Sequence, residues 1–238
     1  NKLVLFSMSN LNFLAIFLGM ASTLGIFISI NLLTLKKGTR RANGILAILI
    51  LVFSAITFQN AVCFLGYYEQ FPHLVFPFYP LNGLIGPLFY VYVLVQLEPK
   101  RRFKWTDSIH LLGFFYLLYS HLDHLMAPAE FKISIANMLY GEREYTLSSF
   151  GLTKYIARKL YEGGYVIIAL LLINQKYNSL KDSLSFPKRR HFNWLKTFGW
   201  VLLFQTVLSI STTWIFFLRE IPVGFLELYL MLNSTQGS

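Results

Sequence analysis

Acidic side chains are scarce in this chain: Asp and Glu number 11 in 238 residues, against 21 Lys and Arg. Charged residues of both signs make up only 13% of it, where an ordinary soluble domain carries about 25%. Cysteine is nearly absent, with Cys63 alone and inside an apolar run. That excludes an internal disulfide framework and a cysteine-based metal site within one chain. The sequence contains no HExxH, no G-x-S-x-G and no phosphate-cradling glycine loop, and no lysine stands in its last apolar segment as a retinal protein requires. No enzyme chemistry and no cofactor are expected.

What fills the chain instead is apolar. Hydrophobic residues make up 55% and aromatics 17%, and the mean hydropathy is +0.52. A bilayer core of about 30 Å needs roughly 20 mostly apolar helical residues. Residues 11–35, 44–68, 75–97, 107–126, 153–175 and 194–218 each meet that length. A seventh apolar stretch, 221–233, is too short to cross comfortably and is read as a partial span. The expected fold is all-α, a polytopic membrane helix bundle of six complete spans plus a truncated seventh, forming one domain over 1–238 with no effector domain. The first span is too long for a signal peptide, and most of its basic residues follow it.

Charge placement gives a topology. Lys36, Lys37, Arg40 and Arg41 follow the first span, and Lys100, Arg101, Arg102 and Lys104 follow the third. Lys176, Lys181, Lys188, Arg189, Arg190 and Lys196 follow or flank the fifth. The other gaps lean acidic or balanced, with Glu69, then Asp123, Glu130, Glu142 and Glu144, then Glu220 beside Arg219. Basic residues are held on the cytoplasmic side of a membrane, so this alternation puts the N-terminus outside. Fourteen of the 21 Lys and Arg lie in the three basic gaps. They read as topology signals beside anionic headgroups and not as a DNA-binding face.

Polar residues within spans are candidate functional positions, because hydrocarbon offers them no partners. Gln59, Asn60 and Cys63 share roughly one helical face in the second span, and Gln205, Ser209, Ser211, Thr212 and Thr213 form a patch in the sixth. Hydrogen bonding between helices is the first reading of both. Glu162 is the charged exception. Arg158, one turn earlier, is its expected partner at i, i+4. A pocket there would be lined by Tyr161 and Tyr165, with Gly163 and Gly164 allowing close approach; Glu227 is a second acidic candidate. At the end of the fourth span, His121, Asp123 and His124 are weak metal candidates. Their directions diverge on a helix, and an interface cap is the plainer reading. Pro72, Pro77 and Pro80 crowd the start of the third span, and Gly86-Pro87 is a candidate hinge that bends or interrupts it.

Four motifs, in order, resemble the membrane part of AraC-type transcription regulators of Bacteroidota. Ala42-Asn43-Gly44-Ile45-Leu46-Ala47 opens the second span as that family's Asn-x-Leu-Leu-Ala pattern does. Gly86-Pro87-Leu88-Phe89-Tyr90-Val91-Tyr92-Val93 is similar to its Gly-Pro-Leu-Leu-Tyr-Leu-Tyr stretch and is the most specific of the four. Ile109-His110-Leu111-Leu112-Gly113-Phe114 resembles Leu-His-Phe-Leu-Pro-Phe, with Gly113 where proline is expected, and Phe192-Asn193-Trp194-Leu195-Lys196 resembles Leu-x-Trp-Leu-Arg. The resemblance implies a sensor or anchor in a bacterial inner membrane that senses an unknown small ligand. Its conformation would pass through the seventh helix to a cytoplasmic helix-turn-helix module. That module is missing from this sequence, so DNA would be a partner only through it, and the dimers such modules form imply a homodimer. A small transporter or channel is the alternative, and it would need charge or interruption at the midplane of two matching spans.

Overall fold

The computed structural model describes residues 2–35, 39–101, 104–140, 149–180 and 186–219. Among them every regular element is helical. The expected seventh span with Glu227, and Lys36, Lys37, Arg102, Glu142, Glu144, Lys181 and Glu220, lie outside the described residues.

Two long helices, α1 (Lys2–Thr34) and α2 (Arg40–Phe64), pack antiparallel through small residues. A Cβ on Gly25 would meet the Ser54 side chain. Ser22 Oγ donates to the Ser54 carbonyl at 2.8 Å, and Ser29 Oγ donates to the Ala47 carbonyl. Small residues let two backbones approach closely, and the hydroxyls then bond across the seam. Among the described side chains of α1 the buried ones are Ala15, Ser22 and Ser29, one narrow stripe, while Phe13, Met20, Phe27 and Leu33 are 60–74% exposed. In water each such side chain would forfeit about 1.5–3 kcal/mol relative to burial; in lipid it forfeits nothing. Gly66, with φ +73°, ends α2 in the left-handed conformation that glycine alone adopts freely.

The expected third span is discontinuous. A 3-10 turn (Pro72–Leu74) and a 3-10 helix (Tyr79–Leu84) precede α3 (Ile85–Leu97). Pro72 and Pro80 sit in the first turns of the 3-10 pieces, and Pro87 in the first turn of α3, where a missing N–H costs no intrahelical bond. Gly86-Pro87 therefore starts the α-helix; it does not break the middle of one.

The expected fourth span is also divided. A 3-10 helix (Trp105–Leu111) leads into α4 (Leu112–Ser120), and the chain breaks at His121 before the short α5 (Leu122–Met126). The lengthwise stretch thus ends at Ser120, six residues short of the expected 126. α6 (Ala129–Tyr140) lies across the end of the bundle against the Pro72–Leu74 turn. α7 (Ser149–Leu180) and α8 (Phe186–Arg219) contain the expected fifth and sixth spans and extend beyond them.

Four segments are long and apolar enough to cross a membrane: Phe13–Thr34, Arg40–Phe64, Pro72–Leu97 and Arg190–Ile215. α7 is long enough, at about 48 Å by its rise per residue, but Lys154, Arg158, Lys159 and Glu162 load its first half with charge. The main core joins α2, α3, α7 and α8 through Leu49, Phe89, Val93, Val166, Ile173 and Leu195.

The three basic stretches come together at one end. Arg41 Nη1 donates to the Arg101 carbonyl at 3.1 Å, and Arg101 pairs with Asp107 at 2.6 Å. Tyr92 packs edge-on to Trp194, and Lys196 lies 4.1 Å from the Tyr177 ring centroid. The start of α2, the ends of α3 and α7 and the start of α8 therefore share that end. Glu69, Asp123 and Glu130 are exposed at the other.

A Cβ on Gly86 would stand 2.8 Å from the Glu162 carbonyl oxygen, so α3 and α7 touch backbone to backbone there. Gly164 has open space around it. Gly86→Leu is expected to lower stability in detergent by about 1–3 kcal/mol, the usual cost of overpacking, with Gly164→Ala neutral or slightly stabilising. Thermal unfolding of the purified protein checks both.

Candidate functional site

The charged centre of the molecule lies on α7. Lys159 Nζ donates to Glu162 Oε2 at 2.9 Å, and both side chains are 2% exposed. The expected partner, Arg158, points elsewhere. Its guanidinium lies over the Tyr79 and Tyr155 rings, 5.5 and 5.3 Å from their centroids. Residues 158 and 159 differ by about 100° around a helix, and Lys159 falls on the face that turns inward with Glu162. An i, i+3 spacing serves an ion pair as well as i, i+4. That is the signal by which the lysine was legible in the sequence. Glu162 is thus a buried pair member and not a carboxylate snorkelling at an interface. Its Oε1 has no hydrogen-bond partner among the described residues.

The expected pocket liners are packed. Tyr161 lies on Gly113, where any Cβ would overlap its ring, so the bare glycine makes room for a tyrosine. The Tyr165 hydroxyl and His110 Nδ1 are 3.1 Å apart. Tyr90 stands edge-on to both rings. This cluster ties α7 to α3 and to the Trp105–Leu111 segment. His110 is a member the sequence argument missed, although it lies inside a quoted motif. On the far side, a Cβ on Gly163 would meet Thr206 of α8 at 3.3 Å.

Gln59 and Asn60 are buried near the end of α2. Gln59 Oε1 accepts the Phe78 backbone N–H at 2.9 Å, which fastens the irregular start of the third segment to α2. In α8, the Thr206, Thr212 and Thr213 hydroxyls bond back to carbonyls one turn earlier. Tyr155 of α7 donates to the Ser209 carbonyl at 3.4 Å. The Gln59 and Tyr155 bonds thus join different segments, whereas the three threonine hydroxyls are satisfied within α8.

A second polar cluster caps the end away from the basic residues. His121 Nε2 donates to the Phe76 carbonyl at 3.1 Å, and His124 Nε2 to the Val75 carbonyl at 3.0 Å. The two rings stack with centroids 4.5 Å apart. Lys132, buried on α6, donates to His73 Nδ1 at 3.1 Å and to the Leu125 carbonyl at 2.9 Å. Both histidines lie beyond the last residue of α4, outside the lengthwise segments. Burial pushes the His121 imidazole down to about 4, with His124 and Lys132 adding to the effect and the Phe76 carbonyl opposing it. Burial also lowers His124, against the opposing bond to Val75.

As for the weak metal candidates, His121 and His124 are brought together, but each commits Nε2 to a carbonyl. Asp123 is exposed beside them. Among the described residues no group of three or more His, Cys, Asp or Glu side chains is placed to hold a metal ion.

The ion pair makes a sharp prediction. Removing one member of a buried pair leaves an uncompensated charge and costs about 3–5 kcal/mol, whereas replacing both with apolar groups is often neutral. Lys159→Met should therefore unfold more readily than the double variant Lys159→Met/Glu162→Leu, measured by thermal or denaturant unfolding in one detergent. Equal loss in both variants would mean that the pair is not energetically coupled. No family model, curated protein or solved structure matches the chain.

Proposed function

We propose that this chain is a multi-pass membrane domain that senses or anchors, in a bacterial inner membrane, for an AraC-like transcription regulator. The observation that carries the membrane part is the meeting of Arg40, Arg41, Lys100, Arg101, Lys176, Arg190 and Lys196 at one end of a bundle whose sides are apolar and exposed. Four segments long and apolar enough to cross a membrane support this reading, in which α4 and α7 would complete six crossings. The short apolar stretch at 221–233 would continue from the sixth. With the basic end in the cytoplasm, the N-terminus lies outside.

The sensory part rests on the resemblance and on one mechanical feature. α3 carries the most specific motif, begins beside the cap and ends at the basic end, and lies backbone to backbone against α7 at Gly86. A ligand that favours one arrangement of the cap therefore biases the position of α3, and with it α7 and α8. It does so only by as much as its affinity differs between the two arrangements. A homodimer follows from the two-fold symmetry of helix-turn-helix modules on their operators.

A small transporter or channel is the second reading, and one observation favours it. The buried Lys159–Glu162 pair abuts an interrupted helix, and charge at such a place is a functional hypothesis by default. Flux through proteoliposomes that disappears in Glu162→Gln would put this reading first.

Topology is tested with single cysteines in a Cys63→Ser background. An impermeant maleimide added to intact cells should label Glu130→Cys at once and Lys100→Cys only after permeabilisation; the reverse pattern overturns the orientation. The output is tested by reading the native gene in frame past Ser238. A completed seventh helix, a linker and a helix-turn-helix module are expected, and an immediate stop codon would remove the regulator.

A further inference from the structure

The turn that the cap histidines hold is under backbone strain. Phe76 is buried and has φ +56°, a left-handed conformation costly for any residue with a Cβ and more so for a bulky one. Two imidazoles bond the carbonyls on either side of the Phe76 Cα, one in the Val75–Phe76 peptide and one in the Phe76–Pro77 peptide. Such a conformation persists only where its surroundings over-determine it. Here those surroundings are two hydrogen bonds, the Gln59 bond to Phe78 and a small apolar core of Cys63, Tyr68, Val75, Phe76, Tyr79, Leu117 and Ala136.

Hydrogen bonds position all three imidazoles of the cap. A lysine ammonium only donates, so His73 Nδ1 accepts from Lys132. His121 and His124 each present Nε2–H to a carbonyl, and burial favours the neutral ring in both, with Nδ1 bare. Protons on His121 and His124 set two like charges in a stack 4.5 Å across, with the Lys132 charge nearby.

Among the described residues nothing in the cap offsets those charges. Tyr68 closes one side, Tyr79 lies 4.8 Å from the His121 ring with the Arg158 guanidinium 5.5 Å from its own centroid, and α4 brings Tyr116 near Tyr79. The carboxylates of Glu69, Asp123 and Glu130 are on exposed residues, and among the described residues none of them pairs with an imidazole.

We propose that His121 and His124 form an acid-released latch: protonation of these two side chains frees the strained turn at Phe76 and lifts α6 and the Pro72–Leu74 turn away from the core beneath. The closed cap binds fewer protons than the open one, so its stability falls as pH falls. The window runs from the ordinary histidine value of about 6.5 down to about 4, where His121 takes its proton in the closed form. The released segment leads directly into the Tyr79–Leu84 helix and α3, so opening at this end reaches the Gly86 contact. The latch operates whatever output lies beyond α8.

The single cysteine reports on it. Cys63 is fully buried in the core under the cap, so its thiol is reached only when the cap opens. The experiment measures the rate of Cys63 modification by a dipyridyl disulfide, which reacts with thiols in acid. The intact chain in nanodiscs is followed from pH 7.5 to 5.0 and normalised to the unfolded chain at each pH. The accessible fraction is expected to rise by about tenfold or more, the equivalent of one pKa unit of linkage. The triple variant His73→Gln/His121→Gln/His124→Gln keeps side-chain donors but cannot take a charge, and its accessibility should not vary with pH.

A flat profile in the native chain overturns the latch, and so does an undiminished acid response in the triple variant. Should the triple variant fail to fold, hydrogen exchange of residues 72–79 in His121→Gln and His124→Gln separately decides. Each must remove part of the acid-induced exchange, and an unchanged response in both overturns the proposal.

Discussion

A lysine and a glutamate sealed together in the first half of α7 constrain everything packed around them. Taking two ions out of water costs several kcal/mol each, and only close contact and complete enclosure return that cost. The pair at 2.9 Å supplies the contact. Enclosure comes from the neighbours: α3 closes one side because Gly86 lets its backbone reach Glu162, and α8 closes another at Gly163 and Thr206. The third side is tyrosine, with Tyr161 seated on Gly113. Three glycines on three different segments thus share one purpose, which is to leave no gap through which lipid or water reaches the pair.

The two ends of the bundle are built differently. The basic end gathers Lys and Arg whose charges persist across the ordinary pH range. The capped end holds buried imidazoles that burial keeps from taking a proton, His121 above all. Its fixed charge, Lys132, is buried against a histidine where a carboxylate is the usual partner.

Sequence patterning made the coarse architecture legible and the fine contacts illegible, for physical reasons. Apolar length and the rhythm of basic residues are one-dimensional signals, so an all-helical chain with apolar crossings could be read from them. Four helices carry that signal in full. The stretches around 107–126 and in α7 do not. His121 turns to a carbonyl 45 residues away and breaks the helix there, and the charge in α7 is neutralised only in three dimensions. Proline spacing announced the interruption of the third segment where Pro72, Pro77 and Pro80 crowd its start, but not at Gly86-Pro87. Pro87 marks a helix start, and the real disruption is the irregular run before Tyr79. Arg158 and Lys159 are neighbours in sequence, and only the rotation of the helix decides which one meets Glu162. The cap histidines read more plainly as an interface cap than as a metal site, but their carbonyl partners, on a distant segment, have no sequence signature at all.

The narrow seam between α1 and α2 has a consequence for biogenesis. Ser22, Gly25 and Ser29 meet residues only 18 to 32 positions further along the chain, and α1 packs chiefly on α2. These contacts are complete once the second helix has left the ribosome. Local contacts close quickly because little chain entropy is lost in forming them. The first two helices can therefore enter the bilayer as a finished hairpin. They would present to the later segments one prepared surface on α2, while α1 faces only lipid.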